Sequence, residues 1–208
     1  MTYARIAESE LNIFERPARV LVSGYSGSGK STLVEDIIKK YRDVFERVII
    51  LGTNLEKSNE LKITHDNDFN PFEEHLTGKT LLIFDDVIYN KKLINLAGEV
   101  FVRGRHLNVS SIFITQNLFL SNSNFRQITL NTTHIIILRH RDEKQIICFA
   151  RSFLSEEKVS KFLNLYKKIV AKQKHQHLLI DFTIDIESPL AIRSSIVGDQ
   201  YERAFLIE

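Results

Sequence analysis

A glycine-spaced turn, Gly24-Tyr25-Ser26-Gly27-Ser28-Gly29-Lys30-Ser31, constrains this chain more than any other feature. Before it, Arg19 to Ser23 is short and apolar enough for a strand buried on both faces; after it, Leu33, Val34, Ile37, Ile38 and Tyr41 recur at helical spacing. A strand turning through such a loop into a helix aims successive backbone N–H groups, and the favourable end of the helix dipole, at one point in space. That is a receptor for a polyphosphate. Gly24, Gly27 and Gly29 permit the backbone angles and the close approach, Lys30 is placed to reach the β and γ phosphates of ATP, and the Ser31 hydroxyl to ligate Mg2+. Tyr25, Ser26, Ser28 and Thr32 complete the nucleotide-binding segment. With Gly near 7% of residues, the four fixed positions arise by chance in roughly one chain of this length in a hundred. A solvated Lys30 in a Gly/Ser-rich turn is the competing reading, and it requires the flanking strand and helix to be coincidence.

Further apolar runs of strand length lie at Arg47 to Leu51, Thr80 to Phe84, Ser111 to Thr115, His134 to Leu138 and His177 to Phe182. Helical spacing returns at Leu93, Ile94, Ala97, Val100 and Phe101, and again at Val159, Phe162, Leu163, Tyr166, Ile169 and Val170 behind a capping Ser155. The alternation predicts an α/β fold with a mostly parallel central sheet and helices on both faces. At 208 residues and 43% hydrophobic composition, one domain is expected, with its core at about 16–185, an N-terminal extension 1–15 and a C-terminal tail 186–208 lacking a clear period. The polar stretch from Thr53 to Gly78 reads as a long loop with at most one short element.

The run Thr80 to Phe84 ends in Asp85-Asp86, the form of a second nucleotide motif. Asp85 is expected to hold Mg2+ and Asp86 to orient or deprotonate the attacking water; a strand end capped by acidic turn residues is the plainer alternative. Ser111 to Thr115 ends in Gln116-Asn117. If its strand lies between the phosphate-loop strand and the Asp85 strand, Gln116 stands where it can hydrogen-bond the γ phosphate or the water. That inserted strand is the mark of the ATP-hydrolysing, RecA-like (ASCE) class of P-loop NTPases, and no guanine-specificity motif is present.

Two basic clusters, Arg103-Gly104-Arg105-His106 and Arg139-His140-Arg141, flank core strands, and both are expected on the phosphate side. Arg103 or Arg105 would offer a guanidinium to a neighbouring subunit's phosphoryl group or to nucleic-acid phosphates; a solvated turn is the alternative. Lys167, Lys168, Lys172, Lys174, His175 and His177 read as a solvated helix end. A formal charge of +2 announces no nucleic-acid binder by itself, and the lone Cys148 excludes an internal disulfide and fits a reducing compartment. No run approaches the roughly 18 apolar residues of a membrane span, and the seven histidines lack metal-ligand spacing.

Gly24 to Thr32, Leu81 to Asp86 and especially Arg103-Gly104-Arg105-His106-Leu107-Asn108-Val109-Ser110-Ser111-Ile112-Phe113-Ile114-Thr115-Gln116 resemble the viral genome-packaging ATPases of the FtsK-HerA superfamily, found in poxviruses, other large DNA viruses, virophages and Polinton-type elements. The resemblance covers about residues 16–185. It implies an ATP-driven motor that threads double-stranded DNA into a preformed capsid, working as a homo-oligomeric ring of five or six subunits with capsid proteins as partners, at sites of virion assembly in the host cytoplasm or nucleus. Carried over, Lys30 and Ser31 bind nucleotide and Mg2+, Asp85 and Asp86 act in hydrolysis, Gln116 is the polar sensor, and Arg105 before Arg103 is the interfacial arginine. A nucleotide-gated switch or assembly factor with little turnover is the alternative from another class. A nucleoside kinase is disfavoured, since no substrate lid is evident.

Overall fold

The computed structural model describes residues 3–7, 12–52, 63–76, 78–170, 176–188, 190–194, 201–205 and 207. In chain order they form β1 (Tyr3–Ala7), β2 (Arg19–Ser23), α1 (Lys30–Lys40), β3 (Arg47–Gly52), β4 (Ile63–His65), β5 (Thr80–Asp85) and α2 (Lys91–Arg103). A 3-10 turn (Gly104–Leu107) leads into β6 (Val109–Thr115), then α3 (Ser123–Asn131), β7 (His134–Ile137), α4 (Glu143–Arg151), α5 (Glu156–Val170), β8 (Leu178–Asp181), β9 (Ile192–Ser194) and β10 (Tyr201–Phe205).

All the strands join one sheet, in the order β1-β10-β9-β8-β7-β2-β6-β5-β3-β4. From β7 to β4 every pair is parallel. From β7 outward to β1 the pairs are antiparallel. The sheet is thus mostly parallel where the nucleotide motifs lie and antiparallel beyond them. One crossover helix carries a chain to the opposite edge of a sheet, whereas α4 and α5 together return it to the edge it left, so β8 runs against β7.

Strand alternation divides the core into two layers. Val20, Val22, Leu81, Ile83, Ile112 and Ile114 pack with Leu33, Val34, Ile37 and Ile38 of α1 on one face. Leu21, Leu82, Phe84 and Phe113 face α2, α3, α4 and α5 on the other. There the Phe113 ring meets Phe101 and Phe125 edge-on, at centroid distances of 6.4 and 6.0 Å. The helices anticipated from Leu93 to Phe101 and from Val159 to Val170 form as α2 and α5, with Leu163 only half-buried.

Helices α3 and α4, nine residues each, are too short for a periodic signal, burying only Phe125 and Ile128 in the first and Ile146, Phe149 and Ala150 in the second. Their caps were the legible sign: the Asn122 side chain accepts from the N–H groups of Asn124 and Phe125, and Asp142 accepts from Lys144 at 2.9 Å. The aperiodic tail contributes β9 and β10 to the sheet, and the N-terminal extension contributes β1, so the sheet extends beyond 16–185 at both ends. Of the basic stretch after α5, Lys167 pairs with Glu143 at 2.9 Å, while Lys172, Lys174 and His175 lie outside the described residues.

The close approach of β3 to β5 depends on one glycine. Gly52 has φ +123°, and a Cβ there would stand 1.8 Å from the Asp85 carbonyl oxygen, a backbone atom that cannot step aside. Gly52→Ala is expected to cost more than about 2 kcal/mol, from left-handed strain and the clash together. Denaturant unfolding measures it, and a cost within about 0.5 kcal/mol of zero would contradict this packing.

Candidate active site

Because β2, β6, β5 and β7 are parallel, the segments leaving their carboxyl ends meet at one sheet edge. The phosphate loop is strapped there on two sides. The Gly24 N–H donates to the Thr115 carbonyl at the end of β6 (3.3 Å), and the Tyr25 N–H donates to the Arg139 carbonyl beyond β7 (3.0 Å). Gly29 caps α1 at φ +95°. A Cβ on Gly24 would lie 2.5 Å from Ser28 Oγ and 2.9 Å from Leu138 Cβ, so a larger residue would push the loop off the strand ends. The Lys30 ammonium donates to the carbonyls of Gly24 (2.8 Å) and Tyr25 (3.1 Å). Its half-burial pulls its pKa below the ordinary lysine value, and the charges of Asp85 and Asp86 work against that.

Asp85 is the last residue of β5 and is buried, whereas Asp86 is exposed and holds φ +53°. A non-glycine residue in the left-handed region carries strain that surrounding structure must maintain, and such residues cluster at functional sites. The strand order puts β6 between β2 and β5, as the Gln116 reading required. Gln116 is exposed at the tip of β6, and the turn that carries it is pinned from α4: Gln145 accepts from the Leu118 N–H at 3.0 Å and reaches Asn117 Oδ1 at 3.3 Å. Thr115 Oγ1 closes the same turn on Asn117. Gln145 had no sequence signal, since α4 itself had only its cap.

These residues line one cleft of about 550 Å³, with Ser26, Gly27, Gly29, Lys30, Ser31 and Thr32 on one wall, Asp85 and Asp86 on another, and Thr115 and Gln116 on a third. Its donor set suits a triphosphate with a hard cation. Backbone N–H groups and Lys30 are donors of the kind phosphate oxygens take, while the Ser31 hydroxyl and Asp85 carboxylate are oxygen ligands of the kind Mg2+ prefers. Mg2+ keeps most of its waters and phosphate oxygens, so one or two protein ligands suffice. Among the described residues no cluster of three or more His, Cys, Asp or Glu side chains could hold a metal without that help.

The arginines divide. The segment Arg139-His140-Arg141 follows β7 and lies beside the loop, with the Arg141 guanidinium 5.1 Å over the Tyr25 ring. Arg103 and Arg105 do not lie on the phosphate side of their own subunit. They precede β6, and in a parallel sheet the residues entering a strand sit at the opposite edge from the residues leaving it. Arg103 pairs with Glu99 and stacks over Phe72 at 4.8 Å. Arg105 is exposed, in a second cleft shared with Arg16, Arg19 and His106. Burial lowers the pKa of Arg19, and the nearby Arg105 charge lowers it further.

No family model matches the sequence, and no curated protein is recognisably similar to it. Solved structures are. The genome packaging NTPase B204 from Sulfolobus turreted icosahedral virus 2, in complex with ATP-gammaS, aligns at 18% identity over 80% of this chain and 92% of its own, with a TM-score of 0.58. B204, the DNA-packaging ATPase from Sulfolobus turreted icosahedral virus, aligns at 18% identity over 79% and 92%, TM-score 0.54. The cytoplasmic domain of the Thermomonospora curvata Type VII secretion ATPase EccC aligns at 12% identity over 90% of this chain but 25% of its own, TM-score 0.54. The chain therefore has the P-loop fold of the viral genome-packaging ATPases, an α/β sheet with its phosphate loop, paired aspartates and inserted β6 at one edge.

Proposed function

We propose that this protein is a Mg2+-dependent ATPase that works within a homo-oligomeric ring and drives double-stranded DNA into a viral capsid, at sites of virion assembly. The observation that carries the ATPase reading is the convergence of Lys30, Ser31, Asp85, Asp86 and Gln116 on one cleft through the insertion of β6 between β2 and β5. Phosphoryl transfer needs positioning and charge stabilisation more than covalent chemistry, and these groups supply both. Lys30 and the loop N–H groups bind the β and γ phosphates. Ser31 and Asp85 would hold Mg2+, which neutralises developing charge on the phosphoryl oxygens. Asp86 takes up the proton of the attacking water, or orients it, while Gln116 hydrogen-bonds the water or the γ phosphate.

The place of Arg105 in the fold supports the ring. Arg105 stands at the far edge of its own sheet and serves a phosphoryl group only in another subunit, whereas Arg103 is already engaged by Glu99 and Phe72. Arg105 is accordingly the preferred trans arginine. DNA and capsid as partners are supported by the fold shared with the B204 packaging enzymes. Among the described residues no helix is long and apolar enough to cross a membrane.

ATP turnover, with and without duplex DNA at low salt, tests this reading together with mass measurement in the presence of an ATP analogue. A ring with DNA-stimulated, Mg2+-dependent hydrolysis is expected, and Asp86→Asn should reduce turnover by about two orders of magnitude. A monomer whose turnover ignores DNA would sink the motor. Scarce turnover, with ATP-dependent assembly that Lys30→Ala abolishes and Asp86→Asn leaves unchanged, would establish the nucleotide-gated switch instead.

A further inference from the structure

The phosphate loop is braced from behind by side chains that nucleotide chemistry does not itself require. His140 Nε2 lies 3.1 Å from the hydroxyl of Ser23, the last residue of β2 and the one before Gly24. The His140 backbone N–H donates to the Tyr166 hydroxyl at 2.8 Å, and that hydroxyl donates to the Leu138 carbonyl at 3.0 Å. Between them, the Arg139 carbonyl accepts from the Tyr25 N–H. Tyr166 of α5, itself buried, thus holds the backbone of residues 138–140, and that segment meets both ends of the Ser23–Tyr25 turn through the His140 ring and the Arg139 carbonyl. On the other side the Thr115 carbonyl holds Gly24 alone.

The charge state of the ring matters as well. Burial pulls His140 down to about 4, with hydrogen bonding toward Ser23 opposing, the Lys30 charge adding to the fall and the Asp142 charge opposing it. Arg139 and Arg141 flank it in sequence, and Tyr166 faces it from α5, its hydroxyl pushed up to about 12 by burial, with Glu143 of α4 adding to that rise. An uncharged imidazole braces the turn without placing a second cation beside Lys30.

We propose that His140 is a positioning residue for nucleotide binding, which holds Ser23 and the first turn of the phosphate loop in the form that accepts the phosphates, with Tyr166 as its brace. This rests on the reading of the cleft as an ATP site. A satisfied core histidine would make some of the same contacts. It would not tie its protonation to nucleotide affinity.

The test uses the full chain, comparing wild type with His140→Ala, His140→Gln, Tyr166→Phe and the Ala/Phe double variant. It measures KM and kcat for Mg2+-ATP, and Kd for a non-hydrolysable ATP analogue. His140→Ala should raise KM and Kd about tenfold with kcat within about threefold, the pattern of lost uniform binding. His140→Gln, which keeps a polar group near the Nε2 position, should recover most of that affinity. Tyr166→Phe should fall between, and the double variant should be weaker than His140→Ala alone, because the Tyr166 hydroxyl holds backbone atoms of Leu138 and His140 that the alanine leaves in place. Between pH 6 and 4, where an imidazole held at about 4 begins to take up its proton, the wild type should lose more analogue affinity than His140→Gln, whose side chain does not titrate. A folded His140→Ala with KM and Kd within about twofold of wild type, or a lowered melting temperature with unchanged affinity, overturns the proposal. So does a pH dependence that His140→Gln leaves intact. If wild type neither binds nor hydrolyses ATP, the ATP-site reading itself falls and takes this one with it; if it does both, only His140 is at stake.

Discussion

Lys30→Ala is expected to lower kcat/KM for Mg2+-ATP by at least about a hundredfold, since a positioned, charge-bearing donor beside developing negative charge commonly accounts for two to three orders of magnitude. The side chain is well placed for this. Its ammonium is half-buried, held by the Gly24 and Tyr25 carbonyls at 2.8 and 3.1 Å, and close enough to Asp85 and Asp86 to feel both charges. Those carbonyl bonds are local to the loop, and the alanine leaves α1 and its buried face of Leu33, Val34, Ile37 and Ile38 untouched. Circular dichroism and the melting temperature should therefore stay close to wild type while turnover disappears. Lys30→Arg should rescue little, because a planar fork does not replace a compact ammonium inside a tight loop. Turnover within about tenfold of wild type in a folded Lys30→Ala protein would remove the phosphate loop from the chemistry.

The second large effect falls on stability, at the far end of the sheet. Arg193 of β9 is 1% exposed, and its guanidinium meets Asp181 of β8 at 3.1 Å. Asp181 also stands 3.4 Å from His134 Nε2 and accepts from the Thr183 N–H and hydroxyl at 2.9 and 2.6 Å. Removing one partner of a buried pair strands the other charge, so Asp181→Asn should destabilise the fold by about 3 to 5 kcal/mol. Adding Arg193→Met to that variant should recover part of the loss, because the stranded charge is gone. Chemical denaturation of the single and double variants decides the matter, and a single variant less than about 1 kcal/mol below wild type would contradict the buried pairing.

The same group sets an acid limit. Burial alone would raise the Asp181 pKa, yet the bonds from His134 and Thr183 bring it down to about 2, below its unfolded value near 3.9. A depressed carboxylate contributes stability that is complete above the unfolded pKa and is lost as pH falls toward the folded one. Its loss should span about pH 4 to pH 2 in wild type, and Asp181→Asn should flatten that part of the stability profile.

How much of this could be read from residues alone depended on range. Of the parallel half, β2, β3, β5, β6 and β7 stand within a residue or two of their expected ends, because each is a short apolar run buried on both faces and needs no partner to be recognised, whereas the three-residue β4 lies in the polar stretch read as a long loop. The phosphate loop, Asp85-Asp86 and Gln116 were legible for a related reason: each motif is local, and each comes directly after a strand. What escaped was whatever depends on direction or on distant partners. The direction of β8 depends on two helices lying between it and β7, and α4 was too short to announce itself. The tail looked aperiodic because β9 is only three residues long and owes its burial to its neighbours.

The sequence by itself determined that a phosphate loop opens a helix, that two carboxylates and an amide end nearby strands, and that the sheet is largely parallel. The motifs rest on composition and spacing over fewer than about ten residues, where backbone geometry leaves few choices, and the parallel sheet on the alternation of strand and helix periods along the chain. The tertiary structure alone decided that β6 lies between β2 and β5, which brings Gln116 to Lys30. It also placed Arg105 at the edge away from the phosphate-loop cleft of its own subunit, and set His140 and Tyr166 beside the loop. Strand order is a choice among pairings of similar apolar runs, settled by packing on both faces of the sheet together, and no single stretch of chain contains it.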